Sequence, residues 1–332
     1  MSLGWQFDRA EARWMESHLS HFWDQSLVGI APIGFETYGR LFHPAYDQAG
    51  ARIRWRAASI WSGADFPASA DFLHVALPLG PSPSPVPWSG GGPRIGTLDS
   101  EDARALIEVL RDFTTDLDPI WFGLWDGLGW DRAIRLGPGH TGSPADNPIP
   151  TTLRADERIQ IPDRSYFLYS GPLEAALEWV STYQQTPHLW WPSTHQWCVA
   201  TEVDLSWSVV GGPTALIERL QQSSEVEVRE VGVDVSLPPP PSWLDRRIRD
   251  AVQGVYERGT ATIDTGVGSI SWKYSPQRGL LSVHYGPLFA TDGRVRRELV
   301  GSFDDTWQKR VYVAMLEDLE EFVIYRAREP NR

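Results

Sequence analysis

The residue types most able to do chemistry are concentrated between His188 and Gly212. This stretch holds four of the 17 tryptophans, the only cysteine, two of the eight histidines and two carboxylates. Alternation from Gln196 to Leu205 predicts a strand, on which Glu202 and Asp204 share one face roughly 7 Å apart. Carboxylates at this distance raise each other's pKa, and such pairs act as acid and base or hold a cation.

Two interpretations of this carboxylate pair are open. In the first, a hydrolase or a metal-dependent enzyme uses Glu202 and Asp204 as catalytic groups or ligands, with His188 or His195 beside them. In the second, the two acids mark the point where the strand leaves the core for solvent. If a pocket is present, we expect five further side chains to shape it as ligand-binding residues: Trp190, Trp191, Trp125, Trp130 and Asp126.

The remaining candidate ligands and nucleophiles are isolated. A single cysteine excludes an internal disulfide and any multi-cysteine metal site. Cys198 lies between two apolar residues of the predicted strand, which favours a small buried side chain over a nucleophile. His18 and His21 are three apart on a helix and form either a solvated or capping pair, or part of a metal site that lacks a third ligand.

No complete catalytic or cofactor motif is present in the sequence. The nucleophile elbow G-x-S-x-G, the phosphate loop G-x-x-x-x-G-K-[ST] and the zinc motif H-E-x-x-H are all absent. The sequence therefore predicts no cofactor and no metal, and whether the protein is an enzyme stays open.

The formal net charge of −13 is distributed unevenly along the chain. Residues 1–236 contain 16 Arg, no Lys and 30 acidic residues, whereas residues 237–332 contain 14 basic and 13 acidic residues. An acidic surface repels nucleic acid and anionic membranes and attracts basic proteins, polyamines or metal ions. The charge therefore argues against nucleic-acid binding and favours a basic protein partner.

Fourteen of the 17 tryptophans precede Pro238. Three uses are compatible with this number: filling the core of a broad sheet, centring a protein interface, or forming a flat platform for sugar rings. The chain has no apolar run of 18 residues and no signal peptide at its start, so we expect a cytoplasmic protein without a membrane segment.

The elements around these residues predict an α+β fold, with a mixed or mostly antiparallel sheet of five to seven strands and flanking helices. Helical spacing and capping residues predict helices over 8–24, 100–113, 172–183 and 214–222. Alternation predicts strands over 35–42, 72–77, 120–126, 165–169 and 226–235.

Four consecutive prolines, Pro238 to Pro241, predict a stiff connector and a domain boundary. We therefore expect an acidic, Trp-rich α+β domain over 1–236, a proline linker over 237–241 and a small C-terminal module over 242–332. The predicted elements of that module are a helix over 242–258, strands over 261–265, 269–274 and 280–285, and a helix over 304–328.

Three segments of the chain resemble a set of uncharacterised, Trp-rich proteins from GC-rich bacterial genomes. The segments are FETYGRLFHP, IWFGLWDGLGW and LWWPSTHQWCVATEVDLSWSVVGG, which fit the patterns F-E-x-Y-x-R-x-x-H-P, W-F-x-L-W-D-G and L-W-W-P-x-x-x-x-W-x-V-x-T-E-[IV]-D of that set. The resemblance covers most of residues 30–236 and implies no activity. It implies only that the part up to Val235 is one unit and the C-terminal part an addition.

Taken together, the charge and the aromatic content favour a non-enzymatic binding protein, comparable to the immunity proteins that neutralise cationic toxins. A hydrolase or metal-dependent enzyme that uses Glu202 and Asp204 is the first alternative. A carbohydrate-binding module is the second.

Overall fold

The computed structural model describes a defined set of residues: 4–5, 10–19, 27–77, 86–115, 119–128, 158–161, 164–234, 242–264, 269–277, 280–285, 296–298, 308, 311–316 and 318–319. Numbered in chain order, the strands are β1 (Gly4–Trp5), β2 (Thr37–Phe42), β3 (Ala45–Tyr46), β4 (Arg52–Ile53), β5 (Ile120–Trp125), β6 (Ile159–Ile161), β7 (Arg164–Gly171), β8 (Leu189–Pro192), β9 (Cys198–Thr201), β10 (Trp207–Gly212), β11 (Glu227–Val231), β12 (Thr260–Asp264), β13 (Ser269–Ser275), β14 (Leu280–Tyr285) and β15 (Arg296–Glu298). The α-helices are α1 (Arg13–His18), α2 (Trp55–Ser62), α3 (Phe72–Ala76), α4 (Ser100–Arg111), α5 (Glu178–Tyr183), α6 (Thr214–Gln222) and α7 (Ser242–Arg258).

The chain divides into two compact units. Unit 1 contains Met1–His43 and Arg94–Leu237, and unit 2 contains Pro44–Pro93 and Pro238–Arg332. Unit 1 therefore ends beside the proline run. The membership of residues 44–93 in unit 2 is a long-range feature that no local pattern in the sequence indicated.

Unit 1 is built on one large antiparallel sheet, and the α+β class predicted from the sequence is confirmed. Its strand order is β1-β7-β5-β8-β9-β10-β2-β11, with β6 paired to β7. Every neighbouring pair is antiparallel. The predicted central strand IWFGLW is β5, which lies between β7 and β8 and carries heavy side chains on both faces.

Helices α4 and α6 pack against one face of this sheet. The side chain of Asp99 caps α4 by accepting hydrogen bonds from the backbone N–H groups of Glu101 and Asp102, as the sequence predicted. Gly39 of β2 lets α6 approach closely, because a Cβ there would lie 2.8 Å from Val228 Cγ1 and 3.3 Å from Ile217 Cγ2. The core between sheet and helices is therefore packed to contact distance.

Unit 2 contains a four-stranded antiparallel sheet of order β12-β13-β14-β15. Helix α7 ends at Arg258. The next residue, Gly259 (φ 73°), donates its N–H to the Val255 carbonyl, and β12 starts at Thr260. The first segment of unit 2, Pro44–Pro93, contains the hairpin β3–β4, helices α2 and α3, and an aromatic cluster in which Trp88 packs edge-on against Trp61 and Phe72. In the C-terminal module, the helix predicted over 242–258 and the three predicted strands are confirmed as α7, β12, β13 and β14.

Two predictions about strands need correction. The strand predicted over Phe72–Leu77 is wrong, since these residues form α3, which Asp71 caps by accepting from His74 N–H at 2.7 Å. All but one of its residues are buried, and such a short apolar run has no period that separates helix from strand. The strand predicted over Gln196–Leu205 is shorter, because β9 ends at Thr201.

Candidate functional site

Polar side chains meet at one end of the unit 1 sheet. Because neighbouring strands are antiparallel, the ends of β5 and β9 lie beside the starts of β7 and β8. We call this group the polar end cluster, and it consists of Asp126, Arg158, Arg164, Tyr166, His188, Glu202 and Asp204.

The centre of the polar end cluster is an ion pair between Arg164 and Glu202. Arg164 Nη2 donates to Glu202 Oε1 at 2.7 Å, and only 5% of the Glu202 side chain is exposed. The same oxygen accepts from the N–H of Val203 at 2.9 Å. Burial raises the pKa of Glu202, and the hydrogen bond from Arg164 opposes this shift without cancelling it. Glu202 is therefore a held carboxylate whose charged form depends on Arg164.

Asp204 lies in the turn between β9 and β10, where 72% of its side chain is exposed. Its Oδ2 is 3.8 Å from Arg164 Nη2. The two acids thus converge on one guanidinium, and they do not form the strand-face pair that the sequence predicted. β9 ends at Thr201, Glu202 stays buried and Asp204 is exposed, so the second interpretation describes Asp204 and not Glu202.

His188 is buried beside the ion pair and holds the end of β5. Its Nδ1 accepts from the N–H of Trp125 at 3.1 Å, so a neutral ring carries its proton on Nε2. Burial, with a smaller contribution from the charge of Arg164, lowers the pKa of His188 to about 3. A ring with this pKa is a weak proton acceptor near neutral pH.

Asp126 lies at the partly buried rim of the polar end cluster, and Trp125 lies next to it. Asp126 Oδ2 accepts from Arg158 Nη1 at 2.6 Å, and the Arg164 guanidinium lies 5.6 Å from the centroid of the Trp125 ring. Trp130, the remaining predicted residue on this side, lies outside the described residues.

The other predicted site residues are buried or lie elsewhere. Trp190 and Trp191 are fully buried, and Trp190 Nε1 donates to the Pro187 carbonyl at 2.7 Å. His195 lies in the turn between β8 and β9, at the opposite end of both strands, and stacks on Trp14 with centroids 4.5 Å apart. Cys198 is buried as predicted, and burial raises the pKa of its thiol.

The tryptophans of the described residues serve mainly as core. Every tryptophan whose side chain the structure describes is buried or half-buried, and seven of the eleven largest fully buried side chains are indoles. No tryptophan among them belongs to the exposed class, and the predicted platform residues Trp190 and Trp191 are fully buried.

A buried network around His43 escaped the sequence reasoning. His43 Nδ1 donates to the Arg94 carbonyl at 2.7 Å, and its Nε2 accepts from Ser208 Oγ at 2.9 Å. Ser208 Oγ in turn bonds Thr201 Oγ1 at 2.7 Å. A hydroxyl beside an imidazole is the geometry of an activated nucleophile, but both Ser208 and His43 are fully buried. The sequence signal for this network was the presence of polar residues, Thr201 and Ser208, at inward positions of β9 and β10.

The exposed surface of unit 1 is acidic. Among its described residues eleven acidic side chains are exposed, against four exposed arginines. The acids are Glu16, Glu36, Glu101, Glu108, Asp112, Glu174, Asp204, Glu218, Glu225, Glu230 and Asp234, and the arginines are Arg13, Arg104, Arg111 and Arg219.

No group of three or more His, Cys, Asp or Glu residues in the described part of the chain is placed to hold a metal ion. Within the described residues, every helix is too short or too polar to span a bilayer. Comparison with protein-family models, with curated proteins and with solved structures found no match to this chain.

Proposed function

We propose that this protein is a non-catalytic binding protein whose unit 1 engages a basic protein partner, in the manner of an immunity protein that neutralises a cationic toxin. The observation that carries this proposal is the imbalance of exposed charge on unit 1, eleven acidic side chains against four arginines. A surface with one dominant sign accelerates the encounter with an oppositely charged partner and suppresses partners of the same sign.

The best-defined acidic region is the edge of the unit 1 sheet at β11, together with the adjoining helix α6. Among the described residues β11 has one neighbouring strand, β2, so this edge is open. Four exposed acids lie on α6, on β11 and next to it, and Arg219 is the exposed arginine of this segment. We call this region the acidic edge, defined by Glu218, Glu225, Glu230 and Asp234.

The two alternatives have less support. A hydrolase at Glu202 and Asp204 needs a free acid and a free base, whereas Glu202 is bound to Arg164 and burial leaves His188 with a pKa of about 3. A carbohydrate platform needs exposed rings, and Trp190 and Trp191 are fully buried.

The proposal is tested by affinity capture followed by a measured affinity. The full chain is used as bait at 50 mM and at 500 mM NaCl, captured proteins are identified, and the dissociation constant of the most enriched basic protein is measured at both salt concentrations. We expect capture at low salt and at least about tenfold weaker binding at high salt, since exposed charges are screened within roughly 10 Å or less.

Two matched variants show whether the acidic edge is the binding surface. Glu218→Arg with Glu230→Arg changes the charge of the edge, and Glu16→Arg with Glu108→Arg makes the same net change elsewhere on unit 1. We expect about tenfold weaker binding of the first variant and a smaller loss for the second. Failure to capture a basic protein, or capture that salt does not weaken, would contradict the proposed function.

A further inference from the structure

A groove in unit 2 runs between α7 and β12. It encloses about 290 Å³, and it is lined by Arg247, Asp250, Ala251 and Arg258 of α7 and by residues 261–263 of β12. Consecutive residues of a strand point to opposite faces of the sheet. A groove that contacts three consecutive residues therefore reaches β12 from its edge.

That edge of β12 is open within the described residues. β12 pairs with β13 along its whole length, from Thr260 opposite Lys273 to Asp264 opposite Ser269, and the described sheet ends at β12. A strand with one neighbour presents backbone N–H and C=O groups that a further extended segment can bond. The groove thus has the layout of a peptide site between a helix and a sheet edge.

The charges along the groove select the chemistry of such a segment. Arg247 and Arg258 are both exposed, and their backbone positions are eleven residues apart on α7, about 16 Å along the helix axis. An extended chain covers this distance in about four to six residues, and only residues an even number of positions apart point to the same face. Arg258 Nη1 lies 3.6 Å from Glu257 Oε2 in an exposed ion pair, with which an acid of the segment competes. Asp250 lies between the two arginines and disfavours a further acid at the middle of the segment.

Gly254 gives one of these arginines its position. A Cβ on Gly254 would lie 2.5 Å from Nη2 of Arg258, so the guanidinium occupies the space that any other side chain would fill. Glycine is unfavourable inside a helix, which makes its presence in the middle of α7 informative. Because the displaced atom is the end of a flexible side chain, alanine would move the guanidinium without disrupting the backbone.

We propose that the groove between α7 and β12 binds an extended acidic segment of a partner protein, with two acidic residues four positions apart on the face of the segment that meets α7. The segment adds to the edge of β12 through its backbone, and its acids pair with Arg247 and Arg258. This site is separate from the acidic edge of unit 1 and selects the opposite charge.

The proposal is tested with synthetic peptides and the full chain. The probe is a fluorescein-labelled heptapeptide of alternating Val and Thr with Glu at positions 1 and 5, which share one face of an extended chain, and binding is followed by fluorescence anisotropy. One control peptide carries Lys in place of both Glu residues, and the other carries N-methyl groups on alternate amides. We expect saturable binding of the acidic peptide and at least about tenfold weaker binding of both controls.

Variants of α7 locate the site. Arg247→Glu and Arg258→Glu are each expected to weaken binding about tenfold, while Arg246→Glu makes the same charge change on the same helix outside the groove and leaves the affinity unchanged. Gly254→Ala is expected to weaken binding several-fold while the melting temperature stays equal or rises, which separates binding from folding.

Four results would overturn the proposal. The first is no saturable binding of the acidic peptide, and the second is equal loss in Arg246→Glu, which indicates unspecific charge attraction. The third is undiminished binding of the N-methylated peptide, which excludes strand addition. The fourth is full competition by millimolar phosphate or glutamate, which indicates a site for small anions.

Discussion

Acidification should destabilise unit 1 through two buried histidines. Burial lowers the pKa of His43 to about 4, against a smaller opposing effect of its hydrogen bond to Arg94, and lowers the pKa of His188 to about 3. In the unfolded chain both rings titrate near 6.5. Between these values the unfolded state binds protons that the folded state does not, so stability is fully present above pH 6.5 and falls as the pH drops below it.

The size of the effect follows from this difference in proton binding. At 1.36 kcal/mol for each pH unit between the unfolded pKa and the working pH, each histidine lowers the free energy of unfolding by about 2 kcal/mol between pH 8 and pH 5. The pair then accounts for about 4 kcal/mol, a large part of a typical total of 5–15 kcal/mol. Glu202 acts in the opposite direction, because its raised pKa makes the folded state bind a proton more readily as the pH falls.

Urea denaturation at pH 8, 7, 6 and 5 measures this loss, with hydrogen exchange of β9 and β10 reporting on unit 1. Variants His43→Asn and His188→Asn isolate each ring, because asparagine can replace the Nδ1 hydrogen bond in both places and does not titrate. Each variant should be less stable at pH 8 but lose about 2 kcal/mol less than the parent on going to pH 5. Equal pH dependence in parent and variants would refute the burial of neutral histidines as its cause.

Two further substitutions test the packing of unit 1. Arg164→Met leaves the Glu202 carboxylate buried without its partner, so it should lower the free energy of unfolding by about 3–5 kcal/mol at pH 8 and by less at pH 5. The double variant with Glu202→Gln should recover most of this loss. If chemical denaturation shows that the effects of the two substitutions simply add, the coupling of Arg164 to Glu202 is contradicted. Gly39→Ala should lower the free energy of unfolding by about 1–3 kcal/mol, because the new methyl forces Val228 and Ile217 away from β2. The control is Gly232→Ala, since its new methyl meets only the movable carboxylate of Asp234. Similar melting temperatures of these two alanine variants would contradict the close approach of α6.

Features that depend on neighbours along the chain could be predicted from the sequence. Helix α4 was predicted from Asp99 and one apolar stripe, and its cap and buried face are as expected. The burial of Cys198 followed from the apolar residues on either side of it. Strands β12, β13 and β14 were predicted from alternation between turn residues. Each of these features depends on residues within about one turn or one strand.

Contacts between residues that are distant in the sequence could not be predicted from it. One of the two interpretations from the sequence used Glu202 and Asp204 as a functional pair, because nothing local indicates that Arg164 reaches both. Trp190 and Trp191 were placed at a ligand site, although a strand in the middle of the sheet buries both of its faces.

By itself the sequence determined the α+β class, the start of α4 at Asp99, and the acidity of the part before Pro238, since composition, caps and periodicity are properties of short segments. Only the tertiary structure decided that Arg164 binds Glu202, that His43 reaches Ser208, and that residues 44–93 belong to unit 2. The physical reason is that strand order and register choose which side chains meet at a sheet end, and that choice reflects the packing of the whole unit.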